Sequence, residues 1–234
     1  MMKNLSELEK KLNYSFKDKA FLNEAIVHRS YINEHPEFRL GHNERLEFLG
    51  DAILEMVVTE YLFKKYPDSP EGELTNLRAS LVNSTNLAKV AENLKIGDFL
   101  YMSKGESKDK NPKSRQYILA NAFEAVLGAI YLDGGITASR KFVQSAVLST
   151  LEEILDKKLY VDPKSYFQEM AQEKTGITPS YKVISAVGPD HNKTFTIGIY
   201  LGEEMIATGK GTSKQEAQTN AAQAALEKKN WQIK

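Results

Sequence analysis

Through residues 1–155 the apolar side chains return at intervals of three and four. Leu46, Leu49, Ile53, Leu54, Val57 and Val58 form one stripe. Leu81, Leu87, Ala88, Val90, Ala91 and Leu94 form a second, and Phe142, Ala146, Val147, Leu151, Ile154 and Leu155 a third. That period gathers each set on one side of a helix. No alternating run interrupts them, so this part is predicted to be almost wholly helical. Loops are marked at His35-Pro36, at Pro67-Asp68-Ser69-Pro70-Glu71-Gly72 and over residues 104–115.

Beyond residue 155 the pattern changes. Asp156-Lys157-Lys158-Leu159-Tyr160-Val161 reads as a tether. Asp162 followed by Pro163 pairs a capping acid with proline at the first helical position, which predicts a helix to about Lys174. Three strands are expected over residues 180–187, 194–200 and 205–208; in the second, Phe195, Ile197 and Ile199 alternate with Thr194, Thr196 and Gly198. Gly188-Pro189-Asp190 and Leu201-Gly202-Glu203 supply turns. Ser213-Lys214-Gln215-Glu216 has the form of a capping box and opens a last helix to about Lys228, with Ala217, Ala221, Ala222, Ala225 and Leu226 on its apolar face. The fold expected is an all-α domain over residues 1–157, a linker over 158–162, and a small α+β domain of order α-β-β-β-α over 163–232.

Composition narrows the function classes. The 234 residues are 41% hydrophobic and 26% charged, enough apolar material for a packed core. Lys+Arg 31 balance Asp+Glu 31, so a polyanion is not held by bulk charge and any nucleic-acid contact must come from local placement. Cysteine is absent, which excludes disulfides, thiolate catalysis and Cys-ligated zinc. The amino terminus lacks the apolar run of a secretory signal, and the longest near-apolar run, residues 125–132, is far too short to cross a bilayer. A cytoplasmic protein with no membrane contact is expected. Ser30, Ser80 and Ser84 have no nucleophile-elbow context, and no Walker-type phosphate loop is present.

The chemical signal is Asn43-Glu44-Arg45-Leu46-Glu47-Phe48-Leu49-Gly50-Asp51. Glu44, Glu47 and Asp51 share one face of a helix whose other positions are apolar. Residues 118–132 are apolar nearly all round, and their polar members Asn121 and Glu124 again share a face. Carboxylates near a core are costly unless paired or bound to a cation. The plainer alternative pairs Glu47 with Arg45 or a lysine and makes Glu124 a loop cap. Two apolar helices with oxygen ligands at matching spacing point instead to an enclosed hard cation, Mg²⁺ with Mn²⁺ as substitute, and to phosphodiester chemistry.

These residues resemble the signature of the ribonuclease III family of double-stranded RNA endonucleases. His28-Arg29-Ser30-Tyr31, Glu71-Gly72-Glu73-Leu74 with Arg78, and Ala122-Phe123-Glu124-Ala125 match the family in order and spacing. The nine-residue run carries the specificity; the shorter matches are weak alone. The resemblance covers essentially the whole chain and implies an all-α nuclease domain followed by a double-stranded RNA-binding domain. It implies that Glu47, Asp51 and Glu124 are metal ligands, that Asp51 and Glu124 matter most for catalysis, and that Glu44 is a supporting acid. It also implies a homodimer with Phe48 at the interface, where a buried core phenylalanine is the alternative. The implied products carry 5′-phosphate and 3′-hydroxyl ends with short 3′ overhangs, as in rRNA and mRNA processing, without a small-molecule cofactor. The family has Asp where this chain has Asn121, an amide that can still bind a cation but brings no charge. Asn121 keeps open a second reading, a double-stranded RNA-binding protein with a weak or inert nuclease site.

The carboxy-terminal part resembles a double-stranded RNA-binding domain, which reads shape across about 16 bp. The resemblance implies RNA contacts from Gln168 and Glu169 on the first helix, from His191 in the loop after the first strand, and from Lys210 and Lys214. There the free amides of Gly209-Lys210-Gly211-Thr212-Ser213 would help hold phosphate. Gln215 and Gln218 stand where such domains often carry more lysine. The basic run Lys104, Lys108, Lys110, Lys113 and Arg115 is either a solvated face or an RNA backbone contact. His28 is read as a hydrogen-bonded structural histidine, and His35 and His42 as solvated.

Overall fold

The structure, a computed structural model, describes residues 4–38, 40–109, 111–189 and 193–231. Two compact units divide the chain between Lys157 and Lys158.

The first unit is helical: α1 (Leu5–Leu12), α2 (Lys19–Ala25), α3 (Arg29–Glu34), α4 (Glu44–Lys65), α5 (Glu71–Val82), α6 (Ser84–Asn93), α7 (Lys104–Lys108), α8 (Pro112–Ala146) and α9 (Leu151–Asp156). An isolated bridge between Val27 and Tyr101 is its sole β pairing among the described residues. Residues 104–115, expected as a loop, are largely helical. Ser103 accepts from the Glu106 amide at 3.0 Å and starts α7. Asn111 then accepts from the Lys113 amide with Pro112 in the first turn of α8. Here proline begins a helix, because its missing N–H would have been unsatisfied in any case.

α8 is the centre of this unit. Leu119, Ala122, Phe123, Ala125, Val126, Leu127, Ala129 and Ile130 are each no more than 2% exposed, packed against α4, α6 and α2. Joined to α9, α8 has the length and composition to cross a membrane, which residues 125–132 alone do not. Its apolar side chains are instead consumed by the core. α8 breaks at Gly135, where φ is +70°. Just before the break, the Asp133 carboxylate accepts from the Tyr14 hydroxyl (2.7 Å) and from the amides of Lys17 (3.0 Å) and Asp18 (2.8 Å). One side chain thereby fastens the α1–α2 connection to the kink.

The second unit is α10 (Pro163–Thr175), β1 (Ser180–Val187), β2 (Thr194–Leu201), β3 (Glu204–Gly211) and α11 (Lys214–Lys229). The strands form an antiparallel sheet in the order β1-β2-β3. Asp162 caps α10 by accepting from the Ser165 amide at 2.9 Å. The helices cover one face of the sheet around Phe167, Ala171, Ile199, Leu201, Ile206, Ala221, Ala222, Ala225 and Leu226, with Trp231 on Phe167. β3 runs to Gly211 rather than stopping near Thr208, because Gly209 and Gly211 pair with Ile197 and Phe195. Glycine reads as loop in sequence. Here it is required, since a Cβ at either position would overlap the α11 backbone at Ala217 or Ala221.

Candidate active site

A pair of glycines builds the site. A Cβ at Gly50 on α4 would overlap the Glu124 carbonyl of α8, and one at Gly128 would overlap the Leu46 carbonyl of α4. The two helix backbones therefore touch, which only glycine allows at such a crossing. Within one turn of the contact lie Glu47 and Asp51 on α4, and Asn121 and Glu124 on α8. The crossing brings the four expected ligands onto facing helices.

Their electrostatics follow from crowding. Burial, then the charges of Asp51, Glu47 and Glu55, push the Glu124 carboxyl up to about 8. Burial and Glu44 hold Glu47 above the usual carboxylate range; a hydrogen bond from Asn121 partly offsets this, and Asp51 adds to it. Among the described residues neither Glu47 nor Glu124 has an ion-pair partner, and Glu124 sits in the middle of α8 rather than at a loop. The alternative of a paired Glu47 and a capping Glu124 therefore fails. Among the same residues, no three His, Cys, Asp or Glu side chains close on one point. The donor set, oxygen only and rich in charge, fits a hard divalent cation, and Mg²⁺ keeps several waters and needs few protein ligands.

Glu55, one turn beyond Asp51, went unread in the sequence and belongs to this field. Arg78 Nε holds it at 2.9 Å, while Arg78 Nη1 donates to the Thr59 hydroxyl at 3.0 Å. Its spacing of four from Asp51 was the available signal. Glu44 is met by Arg29 (3.2 Å) and His42 (3.7 Å).

Phe48 is 81% exposed, which overturns the buried-core alternative; with Met56 and Phe63 it leaves an apolar stripe on the outer face of α4. His28 accepts from the Ser30 amide and caps α3; burial lowers its proton affinity. His35 pairs with Glu37 at 3.2 Å. His42 is not simply solvated, since its Nδ1 is buried without a hydrogen-bond partner. Lys104 and Lys108 on α7 and Lys113 on α8 are exposed, whereas Arg115 turns toward Met102 Sδ; Lys110 lies outside the described residues.

In the second unit Gln168 and Glu169 lie exposed on α10, and Lys210 and Lys214 are exposed at the end of β3 and the start of α11. His191 lies outside the described residues. The amides before α11 are not all free as expected. Glu216 reaches back to the Thr212 amide (2.8 Å) and hydroxyl, while Ser213 Oγ takes the Glu216 amide at 3.1 Å. The capping box closes one residue earlier than its usual form, and its carboxylate occupies the Thr212 donor.

Carboxylates crowded across a helix crossing, followed by an α-β-β-β-α module, define a nuclease joined to an RNA-binding domain. A family model described as Ribonuclease-III-like matches residues 18–151, and one described as Double-stranded RNA binding motif matches residues 163–229. A Ribonuclease 3 from a Nitratiruptor species is 48% identical over 229 residues, covering 96% of each chain. One from a Sulfurovum species is 42% identical over 226 residues, covering 97% of this chain and 98% of the relative. The solved nuclease domain of ribonuclease III from Campylobacter jejuni is 41% identical with a TM-score of 0.56, covering 62% of this chain and 97% of that one. The chain belongs to the ribonuclease III family and is an endoribonuclease of double-stranded RNA.

Proposed function

We propose that the chain cuts double-stranded RNA as a Mg²⁺-dependent homodimer in RNA processing, including that of rRNA and mRNA, in the cytoplasm. Mn²⁺ substitutes for Mg²⁺. The carrying observation is the acid group across the Gly50–Gly128 crossing, whose Glu124 carboxyl is pushed up to about 8 by burial and neighbouring carboxylates. Glu47, Asp51, Asn121 and Glu124 would hold the metal, with Asp51 and Glu124 catalytic and Glu44 supporting. A bound Mg²⁺ supplies Lewis acidity at the scissile phosphate and a water of lowered pKa. The protein's own part is to keep Asp51 and Glu124 opposed on rigid helices and to orient Glu47 through the Asn121 amide. Cleavage leaves 5′-phosphate and 3′-hydroxyl ends with short 3′ overhangs.

Residues 1–157 form the catalytic domain, 158–162 the linker, and 163–232 the RNA-binding domain. There Gln168 and Glu169 meet 2′-hydroxyls, His191 enters a minor groove, and Lys210 and Lys214 hold phosphate. The solved Campylobacter jejuni nuclease domain is described by a region involved in dimer formation. Exposed Phe48, Met56 and Phe63 support a like interface here. Three carboxylates remain beside Asn121, which favours a working site over an inert binder. Incubation of a long RNA duplex with Mg²⁺ or with chelator tests the reading. Cleavage with Mg²⁺ alone is expected, and its abolition in Glu124→Gln with duplex binding retained. An equal cleavage rate in chelator would refute it.

A further inference from the structure

Glu44 lies one helical turn before Glu47, yet both of its oxygens are approached by side chains from outside the acid group. Arg29 Nη1 approaches Oε1 at 3.2 Å, and His42 Nδ1 approaches Oε2 at 3.7 Å. The two partners come from a laced scaffold. The His28 amide donates to the Tyr101 carbonyl (3.0 Å), the Tyr101 amide to the Ile26 carbonyl (2.8 Å), and the Asn43 amide to the Val27 carbonyl (2.9 Å). His28 caps the helix that Arg29 opens, and Asn43, buried, starts α4. The main chain that carries Arg29 and His42 is thus laced in place, and Glu44 lies within reach of both side chains. The His42 Nδ1 atom is buried with no hydrogen-bond partner, and the Glu44 carboxylate lies 3.7 Å from it.

We propose that Arg29, seconded by His42, is a positioning residue that anchors Glu44 outside the metal-ligand group and so fixes how much negative charge the metal meets. This rests on the metal reading given above. Glu44 is an acid three residues from Glu47. A flexible glutamate there, released from its anchor, can turn toward a cation. With the anchor in place it contributes only its field. The arginine is the stronger of the two partners because it is always charged and donates directly.

The test measures Mn²⁺ affinity of the full chain by calorimetry for wild type, Arg29→Gln, Glu44→Gln, the double variant and Glu124→Gln, with thermal melts confirming folding. Arg29→Gln is expected to tighten Mn²⁺ binding roughly two- to fivefold, the scale of an exposed charge pair, and Glu44→Gln to weaken it. In the Glu44→Gln background the Arg29 substitution should change nothing. Arg29→Lys, which keeps the charge but loses the fork, should fall between. An Arg29 effect of equal size with or without Glu44 would show direct through-space charge and overturn the anchor. Unchanged Mn²⁺ affinity in Arg29→Gln, with weakened duplex RNA binding, would make Arg29 a phosphate contact and overturn it too. Equal Mn²⁺ affinity in wild type and Glu124→Gln would instead sink the metal reading on which the anchor rests.

Discussion

Both units bring backbones together through glycine, and the results are opposite. At the α4–α8 crossing, Gly50 and Gly128 let two helices touch, and the side chains beside them, proposed as the metal ligands, are carboxylates turned into partly dry, like-charged company. At the β3–α11 contact, Gly209 and Gly211 face the helix, and Lys210 between them points to solvent. The first arrangement alters the chemistry of its groups; Glu124 carries the largest upward displacement of any carboxyl described. The second leaves its lysine in water. Bond cleavage needs groups whose proton and metal affinities differ from those in solution. Reading the shape of a duplex needs exposed donors at fixed positions. One packing device serves both because the direction of the side chains, not the closeness of the backbones, decides the outcome.

The contrast is broken most severely by removing its chemistry on one side. Glu124→Gln is expected to lower cleavage by at least about 10³-fold, while gel-shift affinity for a duplex in Ca²⁺ stays near wild type. Matching losses in binding would mean that the two units do not divide the work.

Next in size is the backbone contact itself. Gly50→Ala places a methyl group against the Glu124 carbonyl and should cost about 3 kcal/mol or more in urea unfolding, with cleavage lost. Gly209→Ala should produce a similar clash at Ala217 and Ala221, but lose duplex binding while keeping Mn²⁺ binding. A Gly50→Ala protein as stable as wild type would disprove the close crossing.

Asn121→Asp sharpens the comparison within the acid group. The amide donates to Glu47; an aspartate cannot, and it adds a charge. Without metal the variant should be less stable, and with metal it should reach half-maximal cleavage at roughly tenfold less Mg²⁺. Superimposable Mg²⁺ titrations would show that position 121 does not communicate with the metal.

The smallest effect lies away from both sites. For Asp133, burial pushes the carboxyl up, but the amides of Asp18 and Lys17, the Tyr14 hydroxyl and the Lys17 charge outweigh it and leave it below its ordinary value. A carboxylate depressed in the folded state adds stability above its unfolded pKa, near 4, and loses it as pH falls through the lower folded value. Asp133→Asn should therefore cost about 1 kcal/mol at neutral pH, with the gap to wild type closing below about pH 4. A gap that persists undiminished in acid would show that charge is not what Asp133 supplies.

Whatever depends on near neighbours was legible in the order of residues alone. Helical periods, the Asp162–Pro163 start, the alanine face of α11 and the spacing of Glu44, Glu47, Asp51, Asn121 and Glu124 are local, since side chains three or four apart share a helix face whatever packs against it. For the same reason the order α-β-β-β-α was legible strand by strand. What depends on residues distant in sequence took the folded chain to fix. Gly50 faces Glu124 and Gly128 faces Leu46 across separations no local pattern records. Gly209 and Gly211 became strand because β2 pairs with them and α11 presses on them. Glu55 joined the acid field through α8, Glu216 took the Thr212 amide, and Phe48 proved exposed although its neighbours Leu46 and Gly50 are buried. A helical period fixes which residues share a face. Which face is covered, and by what, is set by the contact that excludes the most water while leaving backbone groups paired, and that contact belongs to the whole domain.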